Sequence, residues 1–343
     1  MRVLLIKTSS MGDIIHTLPA LTDAGLAIPG IKFDWVLEEG YAEIPPWHPQ
    51  VNEVFPMAWR RWRKGLFSRE NQAGLRDLYQ QLNRQPYDLI LDAQGLMKSA
   101  LLCFFVKGLR VGLDFKSARE SLASFAYQRK CTVNFYQHAV VRMRSLFSQA
   151  LAYPYPKTAP NFGLYPSQFM GGDAAKYCQE RYLVFLHGTT WTSKLWPENY
   201  WVRLAELAKA NGYRIKISGG TVTEVERAKR IAALVPGAVD VLPYLNILQM
   251  AQVLVCAKAA VAVDTGFGHL AAALNVPTVS LYGSTNPSYT SAEGAASLSL
   301  AAEFPCSPCL QRTCTFRSPS TETPACYTTI PPERVWTTIQ NLF

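Results

Sequence analysis

Directly after the apolar run Val3-Leu4-Leu5-Ile6 comes Lys7-Thr8-Ser9-Ser10-Met11-Gly12-Asp13. Small, polar residues at the end of an apolar run mark the carboxyl end of a buried parallel strand, where α/β sheets bind their ligands. Ser10 and Gly12 admit a substrate close to the backbone, and Asp13 places one carboxylate there, suited to general-base work on a hydroxyl. The same carboxylate also suits a plain strand-to-helix turn, as a cap. Three further stretches carry chemistry suited to a nucleotide. Thr189, Thr190 and Lys194 follow the apolar run 182–186 and offer two hydroxyls, backbone amides and one ammonium, a set that fits a diphosphate. Glu224 lies after Gly219-Gly220, where a carboxylate accepts bonds from ribose hydroxyls or, equally, serves as a first-turn acid favoured by the helix dipole. Asp264-Thr265-Gly266 with His269 ends another apolar run, with a carboxylate at a strand end, a Gly for close approach and an imidazole near a helix start.

Charge adds a second line. Lys and Arg number 34 against 25 acidic residues, which favours an anionic partner. The excess is concentrated in Trp59-Arg60-Arg61-Trp62-Arg63-Lys64, with no acid until Glu70. Arg forks suit phosphate and carboxylate groups, and Trp suits a boundary between water and lipid; a solvated charged face is the alternative. No zinc finger, RNP motif or long basic helix is present, so nucleic acid is the least favoured anion. Absent motifs narrow the chemistry further. There is no Gly-x-Gly-x-x-Gly for a dehydrogenase, no Walker lysine motif, and no Asp-x-Asp pair for a metal-bridged diphosphate.

These residues need a scaffold of strands that end together. With 343 residues, two domains are expected. Strands are predicted at 2–6, 33–37, 51–57, 87–92 and 110–113, with helices around Leu18-Leu21, Leu75-Leu78-Leu82 and 117–127; Thr17 before Leu18-Pro19 reads as a helix start. That reading leaves Gly12-Asp13 on a connection. Prolines at 154, 156, 160 and 166 punctuate an aperiodic linker. The alternation restarts with strands at 182–186, 214–217, 239–242, 259–263 and 278–282 and intervening helices, so a doubly wound parallel sheet is expected in each half, with a ligand cleft between them. No apolar run is long enough to span a bilayer, and Lys7 and Asp13 interrupt any signal-peptide core, so a cytosolic protein is expected. Of eight cysteines, Cys103, Cys131, Cys178 and Cys256 read as buried thiols. Cys306, Cys309, Cys314 and Cys326 have spacing compatible with a metal knuckle, two bridges or reduced thiols.

Residues 1–13, Thr17-Leu18-Pro19-Ala20-Leu21-Thr22-Asp23, Arg60-Arg61-Trp62-Arg63-Lys64, Asp92-Ala93-Gln94-Gly95-Leu96 and Asp264-Thr265-Gly266 together resemble the lipopolysaccharide heptosyltransferases of the first-step type, in glycosyltransferase family 9. The resemblance implies an α/β GT-B fold: an acceptor domain over residues 1–165, a nucleotide-sugar domain over 166–330, and a closing helix over 331–343 that returns to the first domain. It implies inverting, metal-independent transfer of L-glycero-D-manno-heptose from ADP-heptose to Kdo of Kdo2-lipid A, with no cofactor, at the cytoplasmic face of the inner membrane. By this resemblance Asp13 is the base. Thr189, Thr190, Lys194, Glu224, Leu245 (through its backbone), Asp264, Thr265, Gly266 and His269 hold the donor. Ser10, Gly12, Arg60, Arg61, Lys64, Gln94, Lys98 and Arg119 meet the acceptor. A similar cysteine pattern occurs in heptosyltransferases of the second and third steps, so a later core step is the alternative acceptor. A GT-B nucleotide-sugar epimerase is the other alternative, and it has no need of the 60–64 cluster.

Overall fold

Val3, Leu4, Leu5 and Ile6 are completely buried, as an uninterrupted apolar strand must be when both faces of its sheet are covered. The computed structural model describes residues 1–65, 68–172 and 174–342. Two compact units divide the chain, Met1–Leu164 and Tyr165–Phe343.

The first unit contains strands β1 (Arg2–Ile6), β2 (Lys32–Glu38), β3 (Val51–Met57), β4 (Leu89–Asp92), β5 (Leu109–Leu113) and β6 (Arg129–Cys131). Its helices are α1 (Met11–Ile15), α2 (Leu18–Ala27), α3 (Trp59–Trp62), α4 (Arg69–Leu82), α5 (Met97–Phe104) and α6 (Ala139–Leu151). All six strands are parallel, in the order β3-β2-β1-β4-β5-β6. The order therefore reverses between β1 and β4, which opens a crevice at their carboxyl ends.

The second unit repeats the scheme. Its strands are β7 (Tyr182–Leu186), β8 (Arg214–Ile217), β9 (Val239–Val241), β10 (Ala259–Val263), β11 (Thr278–Tyr282) and β12 (Ser297–Ala301). Its helices are α7 (Ala174–Tyr177), α8 (Glu198–Ala210), α9 (Val222–Leu234), α10 (Ile247–Val255), α11 (Gly266–Ala273), α12 (Pro287–Thr290) and α13 (Pro332–Gln340). This sheet is also parallel, ordered β12-β11-β10-β7-β8-β9, and it reverses between β7 and β10. Its core is aromatic: Trp201 lies 4.9 Å from Phe185 and 5.0 Å from Trp196 between ring centroids.

Four expectations are corrected. Gly12 and Asp13 lie in the first turn of α1, because Ser10 caps a short helix before the one that Thr17 opens. Residues 117–127 hold a 3-10 turn at Ser121–Ala126 rather than a helix. Trp62 is buried with Leu78 and Leu82, and Trp59 packs against the same core, so these indoles do not form a lipid boundary. Cys178 and Cys256 form a disulfide across 78 residues, and neither is a buried thiol. The closing helix α13 buries Val335, Trp336 and Ile339 in the second unit's own core, with Trp336 6.1 Å from Tyr213.

One buried ion pair binds the last helix of the first unit to its beginning. Arg144 on α6 grips Asp23 on α2 through Nε at 2.6 Å and Nη2 at 3.2 Å, and its Nη1 donates to the carbonyl of Thr158 at 2.9 Å. Both side chains are buried, so each charge depends on the other. Replacing Asp23 by Ala is expected to cost about 3–5 kcal/mol of stability, while the double variant Asp23→Leu/Arg144→Met recovers most of it. A loss below about 1 kcal/mol in denaturant titrations, the range of exposed pairs, overturns this reading.

Candidate active site

At the carboxyl ends of β1 and β4 the diverging strand ends are bridged by a side chain. Gln94 does this: its Oε1 accepts from the amides of Thr8 at 2.9 Å and Ser9 at 3.3 Å. Asp92 in turn holds Gln94 and Gly95, accepting their amides at 2.8 and 3.2 Å through Oδ1 and the Tyr127 hydroxyl at 2.7 Å through Oδ2. Burial pushes the Asp92 carboxyl up despite these donors. Gly95 has φ +65°, a conformation that favours glycine, and a side chain there would also press on Leu113.

Asp13 stands beside this bridge. Its Oδ2 accepts from the Ser10 amide at 2.7 Å and the Ser10 hydroxyl at 3.0 Å, while Oδ1 lies 3.5 Å from the Lys7 ammonium. Lys7 is almost fully buried and also donates to the Ala93 carbonyl at 3.2 Å. Burial works to raise the Asp13 pKa, but Lys7, Ser10 and His16 outweigh it and hold the carboxyl below the ordinary aspartate range. With 41 % of its side chain accessible, the carboxylate is ionised and reachable. It is at once the N3 member of the α1 capping box and a carboxylate open to a ligand.

The basic residues separate into groups. Arg60 and Lys98 face Glu38, a buried carboxylate at the end of β2 whose pKa is raised by burial and lowered by the Arg60 amide and both charges. Arg61 pairs with Glu39 at 3.2 Å and Glu70 at 3.3 Å, so its charge is compensated. Lys64 is exposed beyond them. Arg119 packs its backbone against the Gly95 turn and lies within electrostatic reach of Arg142, which also feels Asp13. Sequence reading missed Lys7 as the partner of Asp13, and missed Glu38 and Arg142. Lys7 was signalled by its place within the opening polar run; Arg142 sits on a helix with no local marker of function.

In the second unit the reversal between β7 and β10 is bridged in the same manner. The Thr189 hydroxyl donates to the Asp264 carbonyl at 3.1 Å. The Asp264 carboxylate gathers Lys194 at 2.7 Å and the Thr285 hydroxyl at 2.8 Å on Oδ2, with His269 Nε2 3.9 Å from Oδ1. Thr265 is the N-cap residue of α11, so Gly266 opens that helix at the carboxyl end of β10, an anion-favouring position. The Tyr327 hydroxyl fixes the Lys194 backbone at 2.7 Å, and Lys194 Nζ lies 4.5 Å above the Trp191 ring. Thr285 was missed although Gly283-Ser284-Thr285 ends β11 in the same small, polar style.

Glu224 is the N3 member of a capping box. Its Oε2 accepts from the amides of Gly220 at 2.8 Å and Thr221 at 3.1 Å, and its Oε1 lies over Gly188, where a Cβ would collide. The carboxylate thus reaches from β8 to the exit of β7. Thr190 is exposed on the same exit, and Leu245 lies half-buried on the β9–α10 connection.

The sequence profile of glycosyltransferase family 9 (heptosyltransferase) matches residues 75–319. The chain belongs to that family. It is 51 % identical to lipopolysaccharide heptosyltransferase 1 of Pseudomonas aeruginosa, over 100 % of this chain and 98 % of that protein. The lipooligosaccharide heptosyltransferase 2 of Haemophilus ducreyi is 26 % identical over 84 % of this chain and 85 % of its own. Among solved structures, E. coli heptosyltransferase WaaC with ADP superposes with a TM-score of 0.87 at 41 % identity, covering 100 % of both chains. The same enzyme with ADP-2-deoxy-2-fluoro heptose gives 0.83 at 42 %, covering 99 % of each. The two-unit α/β fold, and the assignment as a glycosyltransferase, follow.

At the exit of β7, His187 is fully buried and its Nε2 lies 3.1 Å from the Ser218 carbonyl. Burial, with the Arg227 charge, lowers its pKa to about 4. The unfolded chain takes up that proton near pH ~6.5, whereas the folded chain resists it until about pH 4. Stability should therefore fall as pH drops through that window, with buried His48, also lowered to about 4, adding the same sign. His187→Asn should flatten the slope of stability against pH; an unchanged slope removes His187 as a contributor.

Proposed function

We propose that this family 9 glycosyltransferase moves L-glycero-D-manno-heptose from ADP-heptose to Kdo of Kdo2-lipid A, inverting the anomeric carbon without a metal, at the cytoplasmic face of the inner membrane. The ionised, accessible Asp13 at the reversal point of the first sheet carries the mechanistic part of this reading. The substrate part is supported by the 51 % identity to a heptosyltransferase 1, twice that to a heptosyltransferase 2, and by the ADP-heptose analogue held by a close structural relative.

In this mechanism Asp13 accepts the proton of the acceptor hydroxyl as its oxygen bonds to the anomeric carbon. The bond from that carbon to the β-phosphate oxygen breaks on the opposite face, and the electron pair leaves with ADP. Lys194, Thr189, Thr190 and the start of α11 at Gly266 meet the charge that develops on the diphosphate. Asp264 orients Lys194 and turns Oδ1, with His269 and Thr265, toward the donor sugar. Glu224 takes the ribose through Oε1, which its capping bonds leave available, and the Leu245 backbone meets the base. Arg60, Lys64, Lys98 and Arg119, with Ser10, Gly12 and Gln94, receive the acid groups and phosphates of the acceptor; Arg61, already paired with two carboxylates, contributes less.

Purified protein should transfer heptose to Kdo2-lipid A and not to an acceptor that already carries one heptose; the reverse preference assigns a later core step. Asp13→Asn should lower kcat on the order of 10²–10⁴-fold with ADP-heptose affinity nearly unchanged. Turnover near wild type removes Asp13 as base. Arg60→Gln with Lys64→Gln should raise the acceptor KM in a salt-sensitive way and leave donor binding alone. A larger effect than theirs from Arg61→Gln alone contradicts the charge assignment.

A further inference from the structure

Around α5 and the 3-10 turn Ser121–Ala126 the usual inside-out order of side chains is inverted. Ser99, Ala100 and Cys103 of α5, and Ala123, Ser124 and Ala126 of the turn, are the residues that face the core. The large apolar side chains Leu101, Phe104, Phe105, Phe115, Leu122 and Phe125 point outward, each between 53 % and 69 % exposed. Folding alone favours the opposite choice, since burying Leu or Phe stabilises far more than burying Ser or Ala. A contiguous exposed apolar set of this kind marks an interaction surface.

The set is held together by cations. Arg110 sits 4.9 Å over the Phe104 ring and donates to the Ala126 carbonyl at 3.0 Å, tying helix to turn. Phe125 packs edge-on to Phe115 at 6.2 Å and carries Lys130 at 5.5 Å above its ring. Lys107 and Lys116 are exposed at the ends of the same segments. The nearby carboxylates are already engaged: Asp114 accepts from Thr132 and from the amides of Lys116 and Ser117, and Glu120 accepts the Met97 amide at 2.6 Å. Among the described residues, none of Lys107, Arg110, Lys116 and Lys130 pairs with a carboxylate.

We propose that this face is a docking surface for an anionic lipid bilayer, with the aromatic and leucine side chains entering the acyl boundary and the lysines meeting headgroup phosphates. Apolar side chains ringed by unpaired cations match the interface of an anionic membrane, where long basic side chains reach the headgroups from an apolar bed. A second copy of the chain is disfavoured by the same ring, because like charges would meet across a two-fold contact. No helix among the described residues is long and apolar enough to cross a membrane, so the face acts from one side. The inference deepens the reading above by giving a lipid-borne acceptor a place to arrive, and it is tested without donor or acceptor.

The test is co-sedimentation of the full chain with vesicles of phosphatidylcholine alone or mixed with phosphatidylglycerol. The wild-type protein should bind the mixed vesicles in a salt-sensitive way and the neutral ones weakly. Lys107→Gln, Lys116→Gln and Lys130→Gln should each weaken binding roughly five-fold, and the triple variant on the order of 100-fold. Phe104→Ser with Phe125→Ser should weaken binding to both vesicle types, with thermal stability and ADP binding retained. Equal binding by wild type and both sets of variants overturns the proposal. So does a wild-type dimer that the Phe→Ser variant dissociates while vesicles are ignored, since the face is then a contact between copies. Failure of transfer to Kdo2-lipid A with vesicle binding intact counts against the acceptor assignment and leaves the docking surface standing.

Discussion

A buried ammonium sets the conditions for the rest of the first unit. Lys7 continues β1 into the crevice, is shielded from water, and finds charge balance in Asp13 and a second acceptor in the Ala93 carbonyl at the end of β4. An uncompensated buried charge is costly, so the Lys7–Asp13 contact and the strand ends it joins hold each other in place. The consequence for chemistry is that Asp13 is kept ionised by structure rather than by chance exposure. It also means that removing the carboxylate disturbs Lys7, which is why the amide is the cleaner substitution than a truncation.

The two units solve one problem twice. A parallel sheet whose order reverses leaves two strand ends splayed, with amides and carbonyls unpaired at the bottom of a crevice. In the first unit the Gln94 side chain closes the gap by accepting from Thr8 and Ser9; in the second the Thr189 hydroxyl closes it onto the Asp264 backbone. In both, the residue that bridges also places the charged groups next to it, Lys7 with Asp13 and Lys194 with Asp264. Each pair couples one lysine to one aspartate, but with opposite emphasis. Asp13 is the more exposed partner in the first pair, and Asp264 the more buried in the second. Under the proposed mechanism the less buried member of each pair meets the ligand, a carboxylate in the first unit and an ammonium in the second.

What the sequence made legible followed from strands. Continuous apolar runs such as 182–186 and 259–263 end in small, polar residues, and that pattern places Asp13, Thr189, Lys194 and Asp264 at or after strand ends, where the structure has them. Helices were less legible for identifiable reasons. The eight residues of α5 are apolar on both sides, so they carry no period. The start of α6 is capped by His138, an uncommon N-cap, and its Arg144 is buried where a charged residue normally faces solvent. The Cys178–Cys256 bridge joins residues 78 apart and has no local signature. The indoles at 59 and 62 looked like a boundary to lipid because they flank cations, yet a four-residue helix turns Trp62 inward. The outward aromatics of α5 and the following turn, by contrast, were visible as letters and invisible as a surface, because exposure depends on which side of a short element the core lies.

Charge placement decides how a diphosphate can be met next to an acid. Asp264 would repel a phosphate if its charge were free, but its Oδ2 is shared by Lys194 and Thr285, so the pair presents little net negative charge. In the proposed mechanism a phosphate arriving at the α11 terminus competes with Asp264 for the same ammonium. On that reading, as negative charge builds on the leaving diphosphate, Lys194 gains a stronger partner and its contribution grows along the reaction. An ammonium held in waiting by a carboxylate 2.7 Å away costs little to reorganise, because it moves between two anions in one pocket instead of being drawn out of water. The Tyr327 hydroxyl on the Lys194 carbonyl fixes the backbone that carries this ammonium, and the Trp191 ring lies 4.5 Å beneath its Nζ.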